Sequence, residues 1–202
     1  MLGLFGCAVT SVLVLLVTAC TSTRPSPRAV IPAIDSTELF QQSSFQDCEL
    51  ESFISLGAAR NALLFHETEA QLLAGPNIGP LQVTIYHELF ARIRNRRLHD
   101  YSRFAAEHFL ACSERESVPL HQSVEQVTAC LARLDILLTL RGGMLSGQSE
   151  SEANAAAKNR LTLRTLYPET LIDKLTPMTY NAPDEDAFFK LRRSVFESCL
   201  LP

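Results

Sequence analysis

Residues 100–112, DYSRFAAEHFLAC, decide the fold class. Tyr101, Phe104, Ala105, His108, Phe109 and Cys112 fall at i, i+3, i+4, i+7, i+8 and i+11. That spacing gathers them on one side of a helix of 3.6 residues per turn. Asp100, just before, can accept hydrogen bonds from the free N–H groups of a first turn. The stretch predicts an amphipathic helix that starts capped and ends on a cysteine.

The same period recurs along the chain, and no run of strict alternation marks a strand. Phe45, Cys48, Phe53, Leu56, Ala59 and Leu63 line one side of a helix for which Ser43 or Ser44 is the expected cap. A short helix is expected from Glu67 to Leu73, stopped at Gly75-Pro76. Pro80 suits the first turn of the next, where Leu81, Ile85, Leu89 and Ile93 step by four. Further on, Val127, Cys130, Leu131, Leu134 and Leu138 face inward until Gly142-Gly143, the expected stop. Ser149-x-x-Glu152 reads as a capping box. Pro168 opens a helix expected to end before Pro177. Asp184, Glu185 and Asp186 then crowd a first turn, where acids suit the helix dipole, ahead of Phe188, Leu191, Val195 and Cys199. The expected fold is all-α, a disulfide-stapled helical bundle.

Residues 4–20, LFGCAVTSVLVLLVTAC, are apolar and end in Val17-Thr18-Ala19-Cys20. That ending resembles the lipobox of bacterial lipoproteins. The resemblance implies cleavage after residue 19, a diacylated Cys20 and, since Thr21 rather than an aspartate follows, the outer membrane. No Lys or Arg precedes the apolar run, a departure from the usual signal. A spanning anchor, for which this run is short, and an ordinary secretory signal are the competing readings. Residues 21–34, TSTRPSPRAVIPAI, are proline-rich and cannot bury a core, so residues 20–36 read as a tether. Two acyl chains hold a protein stably at a membrane surface.

Export changes the meaning of the cysteines. With Cys7 removed and Cys20 lipidated, Cys48, Cys112, Cys130 and Cys199 remain, and four cysteines allow three pairings. Cys48 to Cys112 spans 64 positions and Cys130 to Cys199 spans 69. In each case the first opens a long helical pattern and the second closes one. Both closing segments read Phe-x-x-Cys, an arginine follows each first cysteine by about three turns (Arg60, Arg141), and a tyrosine comes later (Tyr86, Tyr167). The pairing Cys48–Cys112 and Cys130–Cys199 is expected, because first and last helices packed antiparallel bring those ends together. Two related helical units follow, residues 37–116 and 117–202, hinged at the polar stretch SERESVPLHQ.

The chain carries 18 basic and 22 acidic residues, net −4, which argues against a dedicated nucleic-acid surface. The absence of tryptophan, with only four tyrosines, weighs against a carbohydrate-stacking cleft. No metal site is expected: His66-Glu67, His87-Glu88 and Glu107-His108 complete no ligand pattern, and His108 lies on an apolar stripe. Gly143-Met144-Leu145-Ser146-Gly147 misses the nucleophile-elbow spacing, and Gly75-Pro76-Asn77-Ile78-Gly79 lacks the lysine of a phosphate loop. No cofactor is implied, and no carboxylate pair singles itself out as catalytic. Arg92, Arg94, Arg96, Arg97 and His99 form the one concentrated basic patch, suited to anionic headgroups or an acidic partner, or else to a solvated helix end.

The expectation is a non-enzymatic envelope lipoprotein on the periplasmic face. Its membrane partner is met through lipid, and its helical body binds a protein as an assembly accessory. A peptidoglycan-active hydrolase and a carrier of small apolar ligands are the alternatives.

Overall fold

The computed structural model describes residues 36–162 and 168–201. The signal segment, Cys20, residues 20–35 of the tether, and Tyr167 lie outside these. Among the described residues there are nine helices and no strand: α1 (Ser36–Gln41), α2 (Ser43–Leu64), α3 (Glu69–Leu73), α4 (Pro80–Arg94), α5 (Tyr101–Arg115), α6 (Val124–Leu145), α7 (Glu150–Thr162), α8 (Glu169–Tyr180) and α9 (Glu185–Leu200). Ser36, expected as the last tether residue, thus opens a helix. The protein is all-α.

Four long helices carry the core. α5 packs antiparallel on α2 and on α6, and α9 packs antiparallel on α6. α4 covers α2 and carries α3 on it, while α7 and α8 cover α6. Cys48 is bonded to Cys112 and Cys130 to Cys199, with Cα separations of 5.3 and 5.5 Å. Each bridge joins an early turn of a long helix to a late turn of its antiparallel partner. Both therefore lie at the end where α5 hands over to α6, and there Gln122 Nε2 also donates to the Leu200 carbonyl at 3.0 Å.

All six residues of the 101–112 stripe are buried, His108 the least so at 9% exposure. Asp100 accepts from the N–H groups of Ser102 and Arg103. Phe109 meets Phe45 and Phe196 edge-on, with ring centroids 5.8 and 5.2 Å apart, which ties α5 to α2 and α9. Such rings, fully buried, contribute about 2–3 kcal/mol each against exposure, and edge-to-face pairs somewhat more.

One buried carboxylate joins three helices. Asp135 of α6 accepts from Arg60 Nε of α2 at 2.8 Å and from the Tyr101 hydroxyl of α5 at 2.5 Å. Arg60 Nη2 also donates to Thr139 at 3.3 Å, and its guanidinium lies over the Phe65 ring. Both charges are deeply buried but mutually satisfied, the condition under which a buried pair is tolerated.

Four expected helix ends are corrected. Neither Ser43 nor Ser44 caps α2. Gln42 holds that position, and α1 runs almost directly into α2, with the Gln46 amide turned back to the Phe40 carbonyl. α3 starts at Glu69 rather than Glu67, because Thr68 and Gln71 form a capping box. α6 passes through Gly142-Gly143 to Leu145. A Cβ at Gly143 would meet Gln148 Oε1 at 2.6 Å and Ala153 Cβ at 3.0 Å, so this glycine serves close packing of α7 rather than termination. α8 continues past Pro177 to Tyr180. Ile172, Leu175, Thr176 and Thr179 are all buried along it, and that packing outweighs the bond the proline cannot make. The expected cap at Ser149 is present, whereas Asp184, expected within the first turn of α9, lies just before it and caps it through the Ala187 N–H.

Candidate functional site

The basic patch sits at the C-terminal end of α4 and in the turn to α5, and its members differ. Arg92 is engaged: it bonds Glu88 at 2.6 Å, pairs with Glu107, and lies over the Phe104 ring. Burial pulls its pKa down, yet the bonds to Glu107 and Glu88 more than offset this, and the guanidinium holds its proton more tightly than usual. Arg94 pairs with Glu69 at 3.0 Å. Glu69 also receives His87 at 2.6 Å, and these bonds, that from His87 first, hold its carboxyl below the ordinary range.

Arg96, Arg97 and His99 are exposed, with no carboxylate partner among the described residues. Arg96 has φ of 54°, in the left-handed region, and the N–H of Arg97 bonds the Arg92 carbonyl at 2.9 Å. That is the closing geometry of a helix end where glycine is the favoured residue. An arginine there costs about 1 kcal/mol against glycine.

Beside this patch lies a denser charge network. His108 packs edge-on against Phe104, its Nδ1 3.3 Å from Glu51 Oε1. Arg115 holds the other Glu51 oxygen at 2.9 Å. The His108 Nε2 is buried without a hydrogen-bond partner, 3.6 Å from a Glu88 oxygen. Among the described residues no group of three or more His, Cys, Asp or Glu is placed to hold a metal ion.

A second cluster, absent from the sequence reading, occupies the seam between α2 and α9. Glu49, one position after the disulfide Cys48, is only 2% exposed. Its Oε2 lies 3.1 Å from Arg193 Nε, the same nitrogen that donates to Glu197 at 2.9 Å. Arg193 Nη2 donates to the Phe40 carbonyl of α1 at 2.8 Å. Glu49 Oε1 is buried with no hydrogen-bond partner. Burial is the main cause that raises the Glu49 pKa to about 7; Arg193 opposes it, Glu197 adds to it and Arg192 opposes it.

Arg192 stacks over Phe53 at 4.5 Å, and burial lowers its pKa. Phe53 meets Phe196 and the exposed Phe189 edge-on. Beside the cluster opens a groove of about 500 Å³, walled by Phe40, Gln46, Arg193, Glu197 and Leu201. A second groove, about 630 Å³, runs between α7 and α8 past Ser149, Asn154, Asp173 and Thr176. The chemical capacity of the seam is to favour the protonated form of a carboxyl, chiefly because Glu49 is buried with one oxygen unpartnered and its guanidinium is shared with Glu197. The signal in the sequence was Arg192-Arg193 within an apolar stripe, with Glu197 one turn on.

No family model, no curated protein and no solved structure matches this chain. Among the described residues, no helix is long and apolar enough to cross a membrane.

Proposed function

We propose that the chain is a bacterial envelope lipoprotein whose helical body binds an acidic segment of another envelope protein through the Arg92–His99 cluster. In this reading residues 1–19 are removed, Cys20 is diacylated, and residues 20–35 tether the body on the periplasmic face of the outer membrane. The segments 37–116 and 117–202 are related helical halves of one compact body. Their long helices both have 22 residues, and their stapled closing helices have 15 and 16.

Arg96 carries the binding reading. A free cation stands at a left-handed position where glycine would be more stable, beside two further unpaired basic groups. Strain kept at an exposed charged residue points to a use for the charge. Arg92 and Arg94, each held by carboxylates, fix the helix end from which Arg96 and Arg97 project.

The test is photo-crosslinking in the native envelope from position 97 or 99, with Arg96→Glu as control. One defined adduct that Arg96→Glu abolishes supports the reading. Adducts indifferent to the charge reversal overturn it. Cys20→Ser should move the exported protein out of the membrane fraction; firm retention defeats the lipid anchor.

The raised Glu49 pKa beside Glu197 favours a second reading, a hydrolase with Glu49 as acid. It requires peptidoglycan cleavage by the wild type that Glu49→Gln and Glu197→Gln both abolish.

A further inference from the structure

Two disulfides fasten α2 to α5 and α6 to α9, and a short connection joins α5 to α6. The α2/α9 junction, by contrast, is closed by side chains: Phe53 on Phe189 and Phe196, Arg192 on Phe53, and Arg193 on Glu49. Its polar closure is asymmetric. Arg193 is shared among Glu49, Glu197 and the Phe40 carbonyl, whereas Glu49 keeps one oxygen buried with no partner. A neutral carboxyl fits that surrounding; an ionised one lacks solvation there.

We propose that Glu49 is a proton-operated latch, holding the α2/α9 seam shut when neutral and favouring its opening when ionised. The inference is independent of the surface proposed for the basic patch. The charged groups that bear on Glu49 are Arg193, Glu197 and Arg192, all from α9, and α1 contributes the Phe40 carbonyl through Arg193. Arg193 attracts the ionised form, but Glu197 competes for the same Nε, so the guanidinium cannot compensate Glu49 alone. Opening admits water to the unpartnered oxygen, releases α1 from Arg193, and uncovers Phe53 and Phe196.

The opened state restores an ordinary carboxylate pKa of 4.5, against about 7 when shut. The ratio of open to shut molecules therefore rises about tenfold per pH unit across that interval, by about 300-fold in all.

Hydrogen exchange on the disulfide-intact protein reads this directly. Amides around Val195 and Phe196 should lose protection, corrected for intrinsic exchange, by about 70-fold between pH 5 and 8. Amides around Phe104 in α5 should open at a higher free energy than those of α9 at each pH, and Glu49→Gln should flatten the α9 response. Three results each overturn the latch: a flat wild-type response at α9, an equal slope in Glu49→Gln, or α5 amides that open at the same free energy as those of α9, which marks global unfolding. Carboxyl NMR of Glu49 in the wild type needs no variant, and a titration midpoint near 4.5 also overturns it.

Discussion

Asp135→Asn should be the most damaging near-isosteric substitution in the core. The wild-type carboxylate is 1% exposed and takes Arg60 at 2.8 Å and Tyr101 at 2.5 Å. Asparagine keeps the volume, removes the charge and turns an N–H₂ toward one of the two donors. Arg60 is then left as a buried cation without its counter-ion, which costs about 3–5 kcal/mol in comparable cases. In a chain of this size that lowers Tm by about 10 °C. Removing the whole network should cost far less. Arg60→Met, Asp135→Leu and Tyr101→Phe together leave no orphaned charge, and that triple variant should lie within about 1 kcal/mol of wild type. Urea unfolding followed by far-ultraviolet circular dichroism, with disulfides intact, gives both values. A loss below about 1 kcal/mol in Asp135→Asn, or a triple variant as unstable as the single one, would refute the reasoning that desolvated charge dominates here.

Replacing Cys48 and Cys112, or Cys130 and Cys199, by serine should each cost about 4 kcal/mol in the chain-entropy description, with the two pairs nearly equal in thermal unfolding because their loops are alike. Gly143→Ala should destabilise by about 1–3 kcal/mol as its Cβ displaces α7, whereas Gly142→Ala, with nothing within 4 Å, should gain about 0.5–1 kcal/mol. Arg96→Gly should stabilise the fold by about 1 kcal/mol yet abolish the envelope crosslink, separating strain from use. For pH, the folded Glu49 pKa lies above the unfolded one, so the native state binds the proton more tightly. The stability from that group is full below about 4.5 and lost as pH rises through about 7, and of that loss equilibrium unfolding at pH 5 and 8 should show about 2.5 kcal/mol, which Glu49→Gln should lack.

The helical fold was legible because burial here follows one period. Tyr101 to Cys112 is a stripe that a single helix face can bury, and the two cysteine pairs fall where antiparallel helices meet. Helix ends were less legible, for local reasons. Gly143 looks like a stop until α7 is seen against it, and Pro177 looks like one until the buried face of α8 is seen to continue. Among the basic residues, proximity in sequence grouped Arg92 with Arg96, but Arg92 is held by Glu88 and by Glu107, the latter 15 positions away, whereas Arg96 has no carboxylate partner among the described residues. Glu49 escaped notice because its partner is Arg193, brought to it only when α9 closes on α2.

That last case has a physical consequence for where motion belongs. A covalent staple and a short connection each limit how far two helices can separate. Disulfides secure α2 to α5 and α6 to α9, and a short turn secures α5 to α6, so separation at those three junctions strains the chain. The fourth junction, α2 against α9, rests on three phenylalanines, the Arg192 guanidinium over one of them, and the guanidinium of Arg193 shared by two carboxylates. It is the junction whose opening breaks no bond and strains no loop, and it is where the bundle keeps a carboxyl with an oxygen unsatisfied. A group that gains solvation on opening, placed at the junction least restrained against opening, couples proton loss to movement there rather than elsewhere.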